Sequence, residues 1–112
     1  CKSQNFLMEA PVFIAVCAGN QGYAMTNGQI ATTIDATIVA DHMTLQAVHE
    51  GLGTCWIGAF YEDKLRALLS VPPEWKVIAF LPLGYPDMAR MAAVKQPPRK
   101  PLAELVMYDK WQ

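Results

Sequence analysis

Apolar residues recur with helical spacing around residues 35–50, and this is the most regular pattern in the chain. The spacing is near three, four and seven residues, typical of one helix face, and it runs through Ile34, Ile38, Leu45, Val48 and Leu52. Alanine, valine and methionine fill many positions between them, so little polar surface remains. We therefore expect a long central helix that other structure covers on most sides.

Both ends of this helix carry sequence signals. Thr32 and Asp35 stand three residues apart and resemble a capping box, although aspartate replaces the usual glutamate or glutamine. Gly51 and Gly53 follow the last apolar residues, and glycine is the commonest residue just beyond a helix C-terminus. The sequence thus predicts that the helix opens near Thr32 and stops at the glycines.

The short apolar segment CWIGAF, residues 55–60, follows these glycines. Gly58 and Ala59 leave the backbone N–H groups uncovered by side chains, so something flat can approach the main chain there. A buried strand end with a tight corner explains the same pattern, because glycine in a short strand commonly marks a bend. The local pattern leaves both interpretations open.

Two other apolar runs predict strands. Residues 10–18 and 75–83 are short and apolar, as expected of buried strands, although Pro11 also permits a first helical turn. Pro82 should lie near the end of its strand or on an edge, because proline donates no hydrogen bond.

A second, shorter helix is predicted over residues 61–70. Acidic residues occupy its first turn, and its expected core stripe is Leu65, Leu68 and Leu69. We therefore predict an α+β fold with one domain over residues 1–112. A small sheet that includes residues 12–17 and 77–81 packs against the two helices.

The remaining segments are less regular. Residues 1–10 have the periodicity of the last turns of a helix, and residues 20–28 form a polar loop that contains glycine. Residues 87–100 read as a basic surface loop with one turn around residues 88–93. Residues 101–112 form an apolar tail that some other surface must cover.

Composition narrows the possible partners. Hydrophobic residues make up 53% of the 112 residues and charged residues 17%, which indicates an interface beyond the monomer core. A net charge of −1 gives no electrostatic basis for binding nucleic acid or an anionic membrane. The apolar runs are far shorter than the ~20 residues of a membrane span, and no segment reads as a signal peptide.

Cysteine and histidine give no metal signature. The chain has an odd number of cysteines, namely Cys1, Cys17 and Cys55, which suits a reducing cytoplasm. We expect Cys17 and Cys55 to be small buried apolar residues. His42 and His49 share one face of the central helix with Asp35, but their seven-residue spacing differs from the i, i+4 pairs of helical metal sites. We interpret that stripe as the polar side of the helix.

The order of these segments resembles the C-terminal part of the nitroreductase family of flavin enzymes. The resemblance covers nearly the whole chain and is carried by GLGTCWIGAF, LRALLSVPPEWKVIAFLPLGYP and PPRKPLAELVMYDKW. It implies FMN at a homodimer interface, reduced by NAD(P)H and reoxidised by a small-molecule acceptor such as a nitroaromatic compound or a quinone. No nucleophile or acid–base pair is needed, because the cofactor carries the redox chemistry.

The resemblance also implies which residues bind FMN. Gly58 and Ala59 match the positions whose backbone N–H groups approach the N5 and O4 edge of the flavin, and Trp56 and Ile57 would pack beside the ring. Arg99 matches a basic residue that reaches the flavin phosphate or ribityl chain. The second basic residue of the family pattern is replaced by proline at position 97, where Lys95 or Lys100 would substitute.

Two functional hypotheses follow. The family holds the FMN phosphate with an Arg-Ser-x-Arg type motif in a preceding portion, and residues 1–112 contain no such motif. The chain is therefore either an FMN-dependent oxidoreductase or a non-catalytic or truncated relative, a dimeric core with weak or no flavin binding. In both cases the resemblance implies the central helix at a dimer interface and a C-terminal arm exchanged between subunits.

Overall fold

A computed structural model describes residues 5–19 and 22–111. Its elements, in chain order, are a 3-10 helix Asn5–Glu9, β1 Val12–Gly19, α1 Ala31–His49, β2 Gly53–Thr54, α2 Glu62–Leu69, β3 Trp75–Gly84, α3 Met88–Ala93 and a 3-10 helix Leu102–Glu104. This arrangement of a three-stranded sheet with helices confirms the predicted α+β class.

The strands form one antiparallel sheet in the order β1-β3-β2, so β3 lies in the centre. β1 pairs with β3 from Val12 opposite Leu83 to Gly19 opposite Trp75, with one irregularity between Val16 and Cys17. Both long strands arise where apolar runs predict them. Pro82 lies close to the end of β3, where a missing N–H group does least harm to the sheet.

The core lies between α1 and one face of the sheet. Ala36 and Ala40 of α1 pack with Val16, Ala79 and Leu81 of the strands, and three of these five side chains are completely buried. Small side chains let the helix backbone approach the sheet closely, so the contact is tight although the residues are small. This packing fixes the position of the sheet. The candidate site described below lies along one edge of it.

The apolar face of α1 marked by the helical spacing is not the face that packs against the sheet of its own chain. Ile38, Leu45 and Val48 are 49%, 62% and 68% exposed, whereas the buried side chains of α1 are Ala31, Ala36, Ala40 and Ala47. Helical spacing identifies one apolar face, but further apolar residues lie on other sides of α1. The alanine face packs against the sheet because small side chains permit closer approach. The larger side chains remain on the outside.

α1 opens at Ala31, one residue before the predicted Thr32, but the predicted capping box is wrong. Ile30 is the residue that caps the helix, it makes no side-chain capping hydrogen bond, and Thr32 lies inside the first turn. The N–H of Ala31 donates to the carbonyl of Tyr23 at 3.2 Å, so the preceding loop satisfies this end of the helix. The stop is confirmed, since Gly51 follows the last turn with φ of +73°.

α2 forms as predicted, but its leucines are not the core stripe expected of them. Leu68 is 79% exposed, Leu69 is 47% exposed and Leu65 is half-buried. Polar contacts hold the ends of α2 instead. The guanidinium of Arg66 donates to the carbonyl of Pro72 at 3.1 Å, beyond the C-terminus of the helix.

The less regular segments follow the predictions in part. The predicted N-terminal helical turns appear as the 3-10 helix Asn5–Glu9, while residues 1–4 lie outside the described part. Residues 20 and 21 of the predicted loop lie outside it as well, and the rest of that loop closes through a bridge between Ala24 and Ile30. The predicted turn around residues 88–93 is α3. Residues 101–111 are exposed throughout.

Candidate functional site

The segment that follows α1 runs along the free side of β3 and is fixed to it at two points. Gly53 and Thr54 pair with Gly84 and Leu83 at the end of β3. Further along, the N–H of Ile57 donates to the carbonyl of Phe80 at 3.0 Å. Ile57 is only 1% exposed, so its side chain anchors the segment in the protein.

Gly58 and Ala59 leave the sheet directly after this anchor, and both are exposed. Within residues 5–19 and 22–111, their N–H groups have no hydrogen-bond acceptor. A Cβ placed on Gly58 meets no atom within 4 Å, so internal packing does not require glycine at this position. The two residues therefore present unpaired backbone donors at an exposed corner beside β3.

The residues that precede this corner differ in exposure. Trp56 is 43% exposed, so its indole ring offers an apolar surface beside the free donors. Cys55 is exposed, and the expectation that it is a small buried residue is wrong because its side chain lies outside the β3 contact. Cys17 is half-buried in β1. Burial raises the pKa of its thiol, and the negative charge of Glu62 raises it further.

A cavity of about 220 Å³ opens beside the corner, and aromatic side chains form much of its wall. It is lined by Phe60, Tyr61, Lys64, Leu65, Leu68 and Phe80. The Phe60 and Phe80 rings lie 6.3 Å apart, and the Lys64 ammonium lies 5.2 Å from the centre of the Tyr61 ring. An apolar wall with one cation at its edge suits a flat aromatic molecule that carries negative charge.

The site residues predicted from the sequence do not include this aromatic wall. Phe80 also stacks on Phe13 of β1, with ring centres 5.2 Å apart and an interplanar angle of 4°. The three phenylalanines are 20 residues or more apart in the chain. Their proximity depends on the register between strands, and no local pattern reveals it.

A larger cavity, of about 310 Å³, lies at the other end of the same segment, against residues 53–55. An ion pair between Arg90 of α3 and Glu9 of the first 3-10 helix, with an N–O distance of 2.9 Å, crosses its edge. Asp87 accepts from the backbone N–H of Arg90 and begins α3. Residues 56–59 do not line this cavity, so its size does not make it the candidate site.

Arg99 is the one predicted site residue that the structure does not join to the others. It lies in an exposed stretch between α3 and the last 3-10 helix. In the described part of the chain, no hydrogen bond or ion pair links its guanidinium to another residue. Trp56, Ile57, Gly58 and Ala59 are thus assembled by the fold of one chain, while Arg99 stands apart.

The histidines of α1 add no chemistry to this corner. His42 and His49 are exposed, and the described residues contain no group of three or more His, Cys, Asp or Glu side chains arranged to hold a metal ion. Among the same residues, no helix combines the length and apolarity that crossing a membrane requires.

Comparison with known proteins agrees with this architecture. A sequence model described as the nitroreductase family matches residues 1–85. A 5,6-dimethylbenzimidazole synthase from Rhodospirillum rubrum is 35% identical over 85 residues, which are 71% of this chain and 40% of that protein. The chain therefore spans well under half the length of this curated relative.

Solved structures give the same result. A nitroreductase family protein from Clostridium difficile 630 is 31% identical, with a TM-score of 0.75 over 94% of this chain and 63% of that chain. The NADPH:FMN oxidoreductase from Vibrio harveyi, solved with NAD⁺, is 24% identical and has a TM-score of 0.79. This chain covers 51% of that structure. At 24% identity, the similarity shows a shared fold alone.

Proposed function

The chain belongs to the nitroreductase family, and we propose that it contributes the ring-binding corner of an FMN-dependent oxidoreductase. The observation that carries the proposal is the pair of unpaired, exposed N–H donors at Gly58 and Ala59, held beside the buried Ile57. Two adjacent donors on a rigid edge suit a planar ring that carries oxygen and nitrogen acceptors. Flavins accept and donate electrons when bound, and the protein has to supply position and electrostatics.

Each residue of the corner has a defined task in this proposal. Gly58 and Ala59 would direct their N–H groups at the polar edge of the ring and stabilise negative charge that develops there, without moving during the reaction. Trp56 would pack against the ring and exclude water from one side, while the buried Ile57, which we predicted beside the ring, would hold the corner in position. The aromatic wall at Phe60 and Phe80 supports the proposal, because it offers further flat apolar surface next to the donors.

Arg99 would hold the phosphate or ribityl chain of FMN. Its guanidinium has no hydrogen-bond or ion-pair partner in the described part of the chain, and it lies in an exposed segment that another surface can reposition. Arginine suits this task because its planar donors match phosphate oxygens in pairs. Lys95 and Lys100, which are also exposed, would add positive charge nearby.

We also propose a homodimer. Its support is the exposed apolar stripe of α1, with Ile38, Leu45 and Val48, together with the exposed apolar tail at residues 101–111. A dimer that buries the α1 stripe and exchanges the tail would cover both surfaces. It would also give the segment around Arg99 a fixed position, which it does not obtain from its own chain.

The electron donor in this proposal is NAD(P)H, and the acceptor is a small molecule such as a nitroaromatic compound or a quinone. The Vibrio harveyi neighbour uses NADPH and FMN by its name, which supports the donor only at the level of the fold. The Rhodospirillum rubrum relative is a synthase of 5,6-dimethylbenzimidazole, so formation of that compound has to be assayed beside reduction of an acceptor. The two cysteines in the described part, Cys17 and Cys55, are free, which fits our placement of the protein in the reducing cytoplasm.

A second candidate is a dimeric core that binds flavin weakly or not at all. It is supported by the isolation of Arg99, whose guanidinium has no hydrogen-bond or ion-pair partner in the described part of the chain. The two candidates agree on the fold and on the dimer, and they differ in whether these residues retain the cofactor.

The visible absorption spectrum of the purified chain separates the two candidates. The proposed function predicts a yellow protein, or uptake of added FMN, and bleaching by NADPH without oxygen. A folded chain that carries no flavin after incubation with FMN and removal of the unbound FMN rules out the first candidate and supports the second. Titration with riboflavin tests Arg99, because Arg99→Gln should weaken binding of FMN but leave riboflavin binding unchanged.

A further inference from the structure

The aromatic cavity of about 220 Å³ adjoins the corner. Its wall starts at Phe60, which directly follows Ala59, and continues along α2. Phe80 of β3 completes the wall, and the backbone carbonyl of Phe80 also accepts the N–H of Ile57. One strand residue therefore supports both the corner and the cavity, so a small molecule in the cavity would lie beside a ring bound at the corner.

The size and the wall of this cavity suit one aromatic ring. An apolar cavity of about 150 Å³ holds a benzene molecule, so a cavity of about 220 Å³ accommodates one ring with substituents. The ring of Phe80 is restrained by its stack on Phe13, with centres 5.2 Å apart, and the ring of Phe60 is tilted by 57° against it. A bound aromatic ring can therefore lie offset over one phenylalanine and meet the other edge-on.

The cavity also has a positive charge at its rim. Among the described residues that line it, Lys64 alone is charged. No carboxylate within residues 5–19 and 22–111 forms an ion pair with its ammonium, which lies 5.2 Å from the centre of the Tyr61 ring. The neighbouring Glu62 accepts from the N–H of Val77, and Asp63 does not line the cavity. The charge of Lys64 is therefore available to an anionic group of a ligand.

We infer that this cavity binds the ring of an aromatic electron acceptor that carries a carboxylate or a similar anionic group. This assignment rests on the proposed function, because the acceptor has to lie beside the flavin. The ring would pack between the two phenylalanines and the leucines of α2, and the anionic group would lie at Lys64. Nitroaromatic acids and anionic quinones would then be preferred over neutral compounds of the same shape.

The redox step needs no further reactant. Reduction of a nitro group to a nitroso group takes two electrons and two protons and releases one water molecule. NAD(P)H supplies a hydride, which accounts for both electrons and one proton, and solvent supplies the second proton. Lys64 takes no part in this transfer and serves as a residue that determines specificity.

Binding of 4-nitrobenzoate to the full 112-residue chain without flavin tests the assignment. The matched neutral probe is 4-nitrobenzamide, which keeps the ring and the nitro group. Amide NMR titration gives both dissociation constants and identifies the residues that respond. The acid should bind about threefold more tightly than the amide, as one exposed charge pair contributes, and the difference should shrink in high salt. The signals that move should belong to residues 60–68 and to Phe80.

Three variants locate the charge and the wall. Lys64→Gln should lower the affinity for 4-nitrobenzoate to that for the amide and leave the affinity for the amide unchanged. Lys76→Gln makes the same change at an exposed lysine that does not line the cavity, and should alter neither affinity. Leu68→Gln should weaken both probes alike, because it removes part of the apolar wall. Leu68 is 79% exposed, so this variant keeps its fold.

Several outcomes would overturn the assignment. Equal affinity of the parent chain for the two probes, no binding of either, or equal effects of Lys64→Gln and Lys76→Gln would remove Lys64 from such a site. Signals that move around residues 53–55 and 82–91 instead would place the probe in the larger cavity. Displacement of 4-nitrobenzoate by FMN would assign the aromatic cavity to the flavin itself.

Flavin uptake separates this assignment from the proposed function. A chain that retains FMN but does not bind 4-nitrobenzoate keeps the proposed function and loses the assignment. A chain that binds 4-nitrobenzoate with the expected selectivity but takes up no FMN loses the proposed function and keeps an anion-selective aromatic site. In the flavin-loaded chain, Lys64→Gln should lower kcat/KM about threefold for the acid and leave it unchanged for the amide.

Discussion

The carboxylate of Glu62 accepts a hydrogen bond from the backbone N–H of Val77 at 3.3 Å. Glu62 is the first residue of α2, and Val77 lies in β3 opposite Cys17, directly after the irregularity in the β1–β3 register. The bond ties α2 to the sheet at the point where strand pairing is uneven. It also places the negative charge that raises the pKa of Cys17.

Replacing Glu62 should show how much this bond stabilises the fold. Glu62→Ala should lower the free energy of unfolding by about 1 kcal/mol, because it leaves the partly buried N–H of Val77 without an acceptor. Glu62→Gln keeps an acceptor oxygen and should cost less. Urea denaturation measures both variants, and equal losses for alanine and glutamine would show that the hydrogen bond is not the cause.

The tight contact between α1 and the sheet predicts a cost for larger side chains at Ala40. This residue is completely buried. Ala40→Leu should lower the free energy of unfolding by about 1–3 kcal/mol, since the helix must move away from the sheet to accept the added volume. Thermal and urea denaturation test it against Thr37→Leu, an exposed position on the same helix. A stable Ala40→Leu protein would contradict the described packing.

The exposed stripe of α1 should control self-association. Leu45→Glu places a charge in the middle of the proposed dimer contact, so sedimentation velocity should show monomers at concentrations where the parent chain is dimeric. Val94→Glu makes the same kind of change at a residue of similar exposure beyond the end of α3, outside the stripe, and should leave the dimer intact. A Leu45→Glu protein with the parental sedimentation coefficient would remove α1 from the interface.

Bulk at the exposed corner should impair flavin binding while the chain remains folded. Ala59→Ile should raise the dissociation constant for FMN about tenfold or more, because a β-branched side chain would cover the backbone donors. Ala93→Ile makes the same change at an exposed residue of α3 and should have no effect on binding. Fluorescence titration with FMN measures the constants. Equal flavin affinity in Ala59→Ile and the parent would remove residues 58 and 59 from the site.

The thiol of Cys17 should react slowly and only at alkaline pH. Burial and Glu62 both raise its pKa, so a smaller fraction is thiolate, the reactive form, at any given pH. In a Cys1→Ser background, iodoacetamide at pH 8 should label the exposed Cys55 well before Cys17. Labelling of Cys17 should accelerate as the pH rises beyond the usual thiol pKa.

A second variant separates the two causes of this shift. Glu62→Gln removes the nearby negative charge, so the pH profile of Cys17 labelling should move to lower pH while burial is retained. Peptide mapping by mass spectrometry follows each thiol separately. A profile that does not move would mean that burial alone sets the reactivity of Cys17.

Local signals in the sequence determined which elements form. Length and composition of the apolar runs predicted β1, β3, α1 and α2, because each run carries the periodicity or the β-branched content of its element. Glycine at position 51 fixed the end of α1, since a positive φ is accessible there without strain. The corner at Gly58 and Ala59 was likewise visible as a stretch of backbone without large side chains.

Tertiary structure decided everything that depends on which elements meet. Apolar residues lie on several sides of α1, so its sequence could not select the face that packs. The alanines pack against the sheet because they allow the closest approach. Strand register brought Phe13 to Phe80, and the position of α2 brought Glu62 to Val77, although neither pair is close in sequence. Periodicity in the sequence indicates on which side of its own helix or strand a residue lies. Which residue it contacts on another element depends on how segments distant in sequence pack together.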